Sequence, residues 1–314
     1  MFVTNDIHQK LYFNGNVKYK TLTRARKATQ SLTSQYIDEF IRAMADSSDK
    51  KIVHSLSLSI FPRMSNIKFP IFKGKNLINS WLIKSLFPSE NYCLFLHGGT
   101  STVSNYQELY KQLSNHHINT LAVEYPGYGD NRNIETSYNA LCETAENAFK
   151  YLTDTMNVPA DKITILGYCL GGQLATNLSK KVNCKSLLLV SPVTNFGEIN
   201  KAYVESKNLG KRFHSRLKKF IVNSKIFKLF TSNKLSLYDD LEKVNCPVYL
   251  FSSKKDPVTD AKWINKLEER LPDKENITYI KTFEDGHKFT DSKALFIARI
   301  ISEHIFHSRL NYRI

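Results

Sequence analysis

A chain of 314 residues accommodates one large α/β domain or two smaller ones, and 42% hydrophobic with 23% charged residues is globular usage that excludes a disordered chain. No apolar run approaches the ~18 residues of a membrane span, and the opening MFVTNDIHQKLYFNG lacks a basic stretch followed by an apolar one. The net charge of +15 favours anionic partners such as membrane surfaces or phosphate-bearing groups, yet no zinc-finger spacing, RNP-type motif or helix-turn-helix accompanies it, so no nucleic-acid partner is expected. The five cysteines are scattered and form no C-x-x-C pair, which argues against a disulfide framework or a zinc site. A cytoplasmic protein, peripheral to membranes at most and without metal or cofactor, is the expectation; nothing in the residues supports export as a secreted effector.

In chain order, residues 1–50 stand apart as a helical extension. Thr23 to Ala45 carries Leu32, Tyr36, Ile37, Phe40 and Ile41 on one stripe. Lys51 to Ile60 alternates between apolar and polar positions, as a half-buried strand does, and Phe69–Phe72 and Trp81–Leu86 are expected to add two more. From Tyr92 onward short apolar strands alternate with helices: strands at Cys93–Leu96, Thr120–Val123, Ile163–Leu166, Ser186–Val190, Val248–Phe251 and Ile277–Ile280, with helices at Asn105–Leu113, Ser137–Met156, Gly171–Ser179, Ala261–Leu271 and Ser292–Ile305. That alternation predicts a mostly parallel, doubly wound sheet covered on both faces, spanning residues 51–314. Residues 195–240 interrupt it. Between Lys201 and Lys234 the basic residues (Lys207, Lys211, Arg212, Arg216 among them) face the single acid Glu205, and Leu209, Phe213, Leu217, Phe220, Ile221 and Phe230 recur at near-helical spacing. A basic, amphipathic insert at the C-terminal edge of the sheet is expected.

The strongest chemical signal is Gly167-Tyr168-Cys169-Leu170-Gly171-Gly172, between a strand and a helix. A nucleophile carried on such a turn projects from the sheet, and flanking glycines let neighbouring backbone approach. It also sits at a helix N-terminus, whose positive end favours a thiolate. Cys169 is therefore the candidate nucleophile, with the N–H of Leu170 placed to stabilise an oxyanion.

These residues resemble those of the α/β-hydrolases, and the resemblance covers roughly residues 77–305. His97-Gly98-Gly99 is similar to the family's oxyanion loop and implies Gly99 as the second donor; Glu124-Tyr125-Pro126-Gly127-Tyr128-Gly129 is similar to the glycine-rich turn after the next strand. Asp256, in Ser253-Lys254-Lys255-Asp256-Pro257-Val258, and His287, in Glu284-Asp285-Gly286-His287, match the family's acid and histidine positions, giving the order nucleophile, acid, histidine. Asp260 and Asp285 are the fallback acids. His97 and Glu124 are expected to order their loop rather than to act in catalysis. The elbow resembles the Gly-Tyr-Cys-Leu-Gly-Gly of dienelactone hydrolases, whereas the Tyr-Pro-Gly-Tyr-Gly turn, the Asp-Pro-Val context and the insert are more similar to serine aminopeptidase-like and protein-deacylating hydrolases.

The resemblance implies an ester or thioester hydrolase working through a Cys169–His287–Asp256 triad, with a fatty-acyl or protein S-acyl group as the substrate class and residues 195–240 as a cap. The apolar stripe of the cap would hold an acyl chain, and its basic face an anionic membrane surface. Two alternatives stay open: an acyltransferase using the same thiol, and a catalytically silent binding protein of this fold.

Overall fold

The computed structural model describes residues 64–71, 74–194, 236–256, 258–259, 261–271, 274–283 and 286–310. The expected helix at 23–45, the strand at 51–60 and most of the insert at 195–240 lie outside the described residues. So do Asp260 and Asp285.

Eight strands form one sheet. In chain order they are β1 (Met64–Ile71), β2 (Asn76–Ile83), β3 (Tyr92–Leu96), β4 (Asn119–Val123), β5 (Ile163–Tyr168), β6 (Ser186–Val190), β7 (Val248–Ser253) and β8 (Ile277–Phe283). The helices are α1 (Gln107–Asn115), α2 (Tyr138–Lys150), α3 (Leu170–Ser179), α4 (Leu237–Leu241), α5 (Ala261–Arg270) and α6 (Asp291–Leu310). The spatial order is β1-β2-β4-β3-β5-β6-β7-β8. β1 and β2 pair antiparallel, β2 runs antiparallel to β4, and every other pairing is parallel. Among the described residues no helix is long and apolar enough to cross a membrane.

The first two strands lie earlier than the sequence pattern predicts, at 64–71 and 76–83 instead of 69–72 and 81–86. Their apolar centres were recognisable, but their extent is set by hairpin pairing from Met64↔Ile83 to Ile71↔Asn76, which recruits polar residues with no apolar signature. The hairpin turns at Gly74, whose φ of +84° suits glycine. The central strands β3 to β6 coincide with the expected apolar runs because each is buried on both faces. All five residues of β3, of β4 and of β6 are buried.

Alternate strand residues divide the core in two. Leu94, Leu96, Ile163, Ile165, Leu187 and Leu189 pack with Leu141, Ala145 and Phe149 of α2 and Leu174 and Leu178 of α3. Cys93, Phe95, Leu166, Leu188 and Val190 pack on the opposite side, with Leu109 and Leu113 of α1 and Ile297 and Ile301 of α6. At roughly 1.5–3 kcal/mol for each large side chain removed from water, these two layers are the main stabilising term of the sheet. Ser137 starts α2 by accepting the Ala140 N–H at 3.1 Å, and the helix runs on into a wider π-type turn over Tyr151–Thr155.

Two features of the chain order prepare a site. From β3 the chain steps to β4 on one side, whereas from β5 it steps to β6 on the other, so the strand order reverses between β3 and β5. Ligands of open α/β sheets bind at such a switch point, outside the carboxyl ends of the strands. After β6 the chain departs at Thr194 and is recovered at Leu237, whose N–H donates to the Thr194 carbonyl at 3.0 Å. Thr194 and Leu237, 43 positions apart in sequence, thus meet at one point. Gln173 of α3 holds that point, its Nε2 donating to the Val193 carbonyl at 2.6 Å and the Thr194 carbonyl at 3.3 Å.

Candidate active site

Cys169 lies in the turn between β5 and α3 with φ +53° and ψ −113°, a backbone conformation that a side chain bearing a Cβ enters only under strain. Three backbone bonds hold it there: its N–H donates to the Val190 carbonyl at 3.0 Å, and its carbonyl accepts the N–H groups of Gly172 at 3.0 Å and Val193 at 3.2 Å. The turn is possible because Gly167 and Gly171 have no Cβ. One added at Gly167 would meet the Gly171 carbonyl at 2.4 Å, and one at Gly171 would fall 2.0 Å from the Leu96 carbonyl oxygen. The helix therefore starts directly against β3, and the Leu170 N–H belongs to the first turn, where no helical carbonyl can reach it. The sulfur is almost enclosed, the residue being 1% exposed.

The other predicted residues arrive from the ends of neighbouring strands. Asp256 follows β7 and His287 follows β8. His287 Nδ1 stands 2.9 Å from Asp256 Oδ2 and 3.1 Å from Oδ1, and the imidazole also hydrogen-bonds the Cys169 side chain. The three residues, separated by 87 and 31 positions in sequence (169 to 256, 256 to 287), form one hydrogen-bonded series. Asp256 is fixed from behind: Oδ1 accepts the N–H groups of Val258 and Thr259, both at 2.8 Å, and Oδ2 accepts the Thr259 hydroxyl at 2.7 Å.

Burial pushes the Asp256 carboxyl up, but the charge and hydrogen bond of His287 and the bonds from Thr259 outweigh it and hold the group below the usual carboxylate value. A folded pKa below the unfolded one gives stability that is complete above the ordinary aspartate range and is lost as pH falls through the folded value. Asp256→Asn is therefore expected to flatten the fall of Tm between pH 6 and pH 3, read by thermal melts at a series of pH values; parallel curves for the two proteins would contradict this. Burial pushes the His287 imidazole down, yet the charges of Cys169 and Asp256, and the hydrogen bonds the ring donates to both, carry it up to about 10. The protonated ring is thereby favoured beside the thiol.

His97-Gly98-Gly99 follows β3 and is braced from β4 and the turn after it. His97 Nε2 is 2.8 Å from Glu124 Oε1 and its Nδ1 is 2.8 Å from the Gly98 carbonyl; Glu124 Oε2 also accepts the Val103 N–H at 3.2 Å. The Tyr125 hydroxyl donates to the His97 carbonyl at 3.0 Å and the Tyr128 hydroxyl to the Gly99 carbonyl at 2.9 Å. A loop-ordering role was expected of His97 and of Glu124 singly; their pairing with each other is seen only in the fold.

The sequence did not indicate a second set of contacts, which holds the histidine loop. Tyr168, the residue before Cys169, donates its hydroxyl to the His287 carbonyl at 2.5 Å. Lys293, near the start of α6 and 0% exposed, donates its ammonium to the Gly286 carbonyl at 2.6 Å and the Lys288 carbonyl at 2.9 Å. Three consecutive carbonyls are thus bound, the central one from the elbow itself. A lysine in the first turn of a helix reads as a surface residue, so only the fold reveals it. Tyr106, Tyr168 and Phe289 pack edge to face beside the elbow, with ring centroids 5.1–6.0 Å apart.

Residues 93–290 match a family model described as the alpha/beta hydrolase family. Among solved structures, an esterase from Pyrococcus furiosus superposes with a TM-score of 0.63 at 15% identity, covering 80% of this chain and 92% of that one. The alpha/beta hydrolase GrgF from a Penicillium species does so at 0.61 and 13% identity, covering 77% and 99%. An alpha-beta hydrolase from Vibrio vulnificus gives 0.57 at 17% identity, covering 77% and 80%. These likenesses show the fold. A multifunctional-autoprocessing repeats-in-toxin protein of Vibrio cholerae is 33% identical over 97 residues, which are 30% of this chain and 2% of the toxin.

Proposed function

The chain belongs to the alpha/beta hydrolase family, and from that premise we propose that it cleaves a carboxylic ester or thioester by forming an acyl-enzyme on Cys169. The observation that carries this reading is the series Cys169–His287–Asp256, with the thiol on a strained turn at the head of α3. His287 holds the proton that Cys169 has given up, and the thiolate sulfur attacks the acyl carbonyl. The resulting oxyanion is held by the N–H groups of Gly99 and Leu170. As the carbonyl re-forms, the bond to the leaving group breaks and His287 protonates the departing oxygen or sulfur. Water, deprotonated by the same imidazole, then attacks the thioester and releases the acid and the free thiol. Asp256 keeps the imidazole in the orientation that serves both steps.

Fatty-acyl esters and protein S-acyl groups are the substrate class we propose, on the grounds of the amphipathic, basic sequence 201–234 and the similarity of the turn sequences to deacylating hydrolases. The esterase neighbour supports ester chemistry by fold alone. A serial assay of p-nitrophenyl esters from acetate to palmitate tests the reading. Release of nitrophenol together with free acid is expected. Transfer of the acyl group to an added alcohol, with little free acid, would instead make the protein an acyltransferase. No release from any ester or from an acyl thioester would contradict both.

Lys293 and Tyr168 act here as positioning residues for His287. Lys293→Met is expected to lower kcat by about tenfold to a hundredfold while KM changes much less, because a loosened histidine misaligns proton transfer without touching substrate binding. Tyr168→Phe should act in the same direction. Steady-state kinetics on both variants check this; a raised KM at constant kcat would contradict it.

A further inference from the structure

Two thiols far from Cys169 meet on the opposite edge of the sheet. Cys184 lies in the turn between α3 and β6, Cys246 in the turn between α4 and β7, and both are half-buried. Their sulfurs are 3.3 Å apart although the residues are 62 positions apart in sequence. The pairing of β6 with β7 sets this approach: the Leu187 N–H donates to the Pro247 carbonyl at 2.9 Å, registering the two strand entries directly beyond the cysteines. Each turn is also fixed. The Lys185 N–H donates to the Ile163 carbonyl at 2.8 Å, and Asn276 Nδ2 donates to the carbonyls of Cys246 at 2.7 Å and Val244 at 3.1 Å. The sulfurs are thus held close by backbone that packing alone already orders.

We infer that Cys184 and Cys246 form a dithiol modification site that closes to a disulfide when it meets a peroxide. The Cys184 thiol donates its hydrogen bond to the Cys246 sulfur. That bond draws Cys246 below the ordinary thiol value against the effect of its burial, whereas the same contact, burial and the charge of its neighbour push Cys184 far up. The two sulfurs therefore have different roles. Cys246, as thiolate, attacks one oxygen of the peroxide. The O–O bond breaks, the other oxygen leaves and is protonated to water or alcohol, and Cys246 becomes a sulfenic acid. The Cys184 sulfur then attacks the sulfenyl sulfur; the S–S bond forms, the S–O bond breaks, and the hydroxyl leaves as water with the proton of Cys184. Two thiols are oxidised by two electrons and one peroxide is reduced. The bridge would span β6, residues 195–236 and α4, tying the two ends of the segment that carries the insert.

The experiment uses the full chain carrying Cys169→Ala, so that the candidate nucleophile does not consume oxidant. The reduced protein is exposed to hydrogen peroxide up to doses that oxidise methionine, alkylated, and mapped by mass spectrometry without reduction. A linked peptide joining Cys184 to Cys246, two hydrogens lighter than the sum of its parts and released by dithiothreitol, is expected. Closing so long a loop should raise Tm by roughly 5–10 °C. A further Cys184→Ser change is expected to leave Cys246 as a sulfenic acid trapped by dimedone, and a Cys246→Ser change to leave Cys184 alkylatable. Recovery of both Cys184 and Cys246 as alkylated peptides at the methionine-oxidising dose would overturn the inference. It does not depend on the function of Cys169 and stands or falls separately.

Discussion

Cys169→Gly is expected to be catalytically inert and more heat-stable than the parent. Loss of the attacking sulfur removes the covalent route, and turnover should fall by about 10⁴-fold or more, as nucleophile deletions do in triad enzymes. The gain in stability has a different origin. At φ +53° and ψ −113° residue 169 sits where any Cβ is strained, and such positions store about 1–3 kcal/mol that glycine releases. Part of that gain is offset by the packing of the lost side chain, which is enclosed by the core. A rise of a few degrees in Tm is the net expectation. Cys169→Ala separates the two effects, because it is equally inert and keeps the strain. If the glycine variant melts no higher than the alanine variant, the strain is not there to be released.

Gly171→Ala is expected to abolish the soluble fold. A methyl at this position would stand 2.0 Å from the Leu96 carbonyl oxygen and 2.8 Å from that of His97. Both obstacles are backbone, so no side-chain rotation relieves them; α3 must move off β3 or β3 must leave the sheet. Overpacking of a core usually costs about 1–3 kcal/mol where side chains can yield. Here they cannot, and the cost falls on the central strand, which pairs with both β4 and β5. Soluble yield and far-ultraviolet circular dichroism of the purified variant read the outcome. A folded, stable Gly171→Ala protein would mean that α3 starts farther from β3 than described. Gly74→Ala provides the contrast, since nothing lies within 4 Å of a Cβ at that turn and only its φ of +84° opposes the change.

How much of this was legible follows from which forces act locally. The central parallel strands could be read because burial on both faces leaves continuous apolar runs such as Cys93–Leu96 and Leu187–Val190. Cys169, Asp256 and His287 could be singled out because each sits in a short local motif, and their order along the chain is fixed by the resemblance to the family. That His287 meets both partners is a tertiary fact that motif order anticipates. The extent of β1 and β2 was hidden, since Met64, Ser65 and Asn66 are strand residues only through their pairing with Ile83, Leu82 and Trp81. Lys293 gave no signal because a charged side chain in a first helical turn is ordinarily solvated, and here two carbonyls of the histidine loop replace the water. The Cys184–Cys246 approach was equally invisible, for it exists only through the β6–β7 register. Five scattered cysteines argue against a disulfide framework, and a single dithiol on one edge of the sheet is compatible with that composition.

The most direct test of the central claim is the intact mass of the protein after brief exposure to p-nitrophenyl esters of increasing chain length, with peptide mapping of any adduct. The account predicts an increase equal to the acyl group, carried by Cys169, absent in Cys169→Ala and cleared by water with time. Nitrophenol release that persists undiminished in Cys169→Ala, or an adduct on any other residue with Cys169 still free to alkylate, would contradict an acyl-enzyme at Cys169.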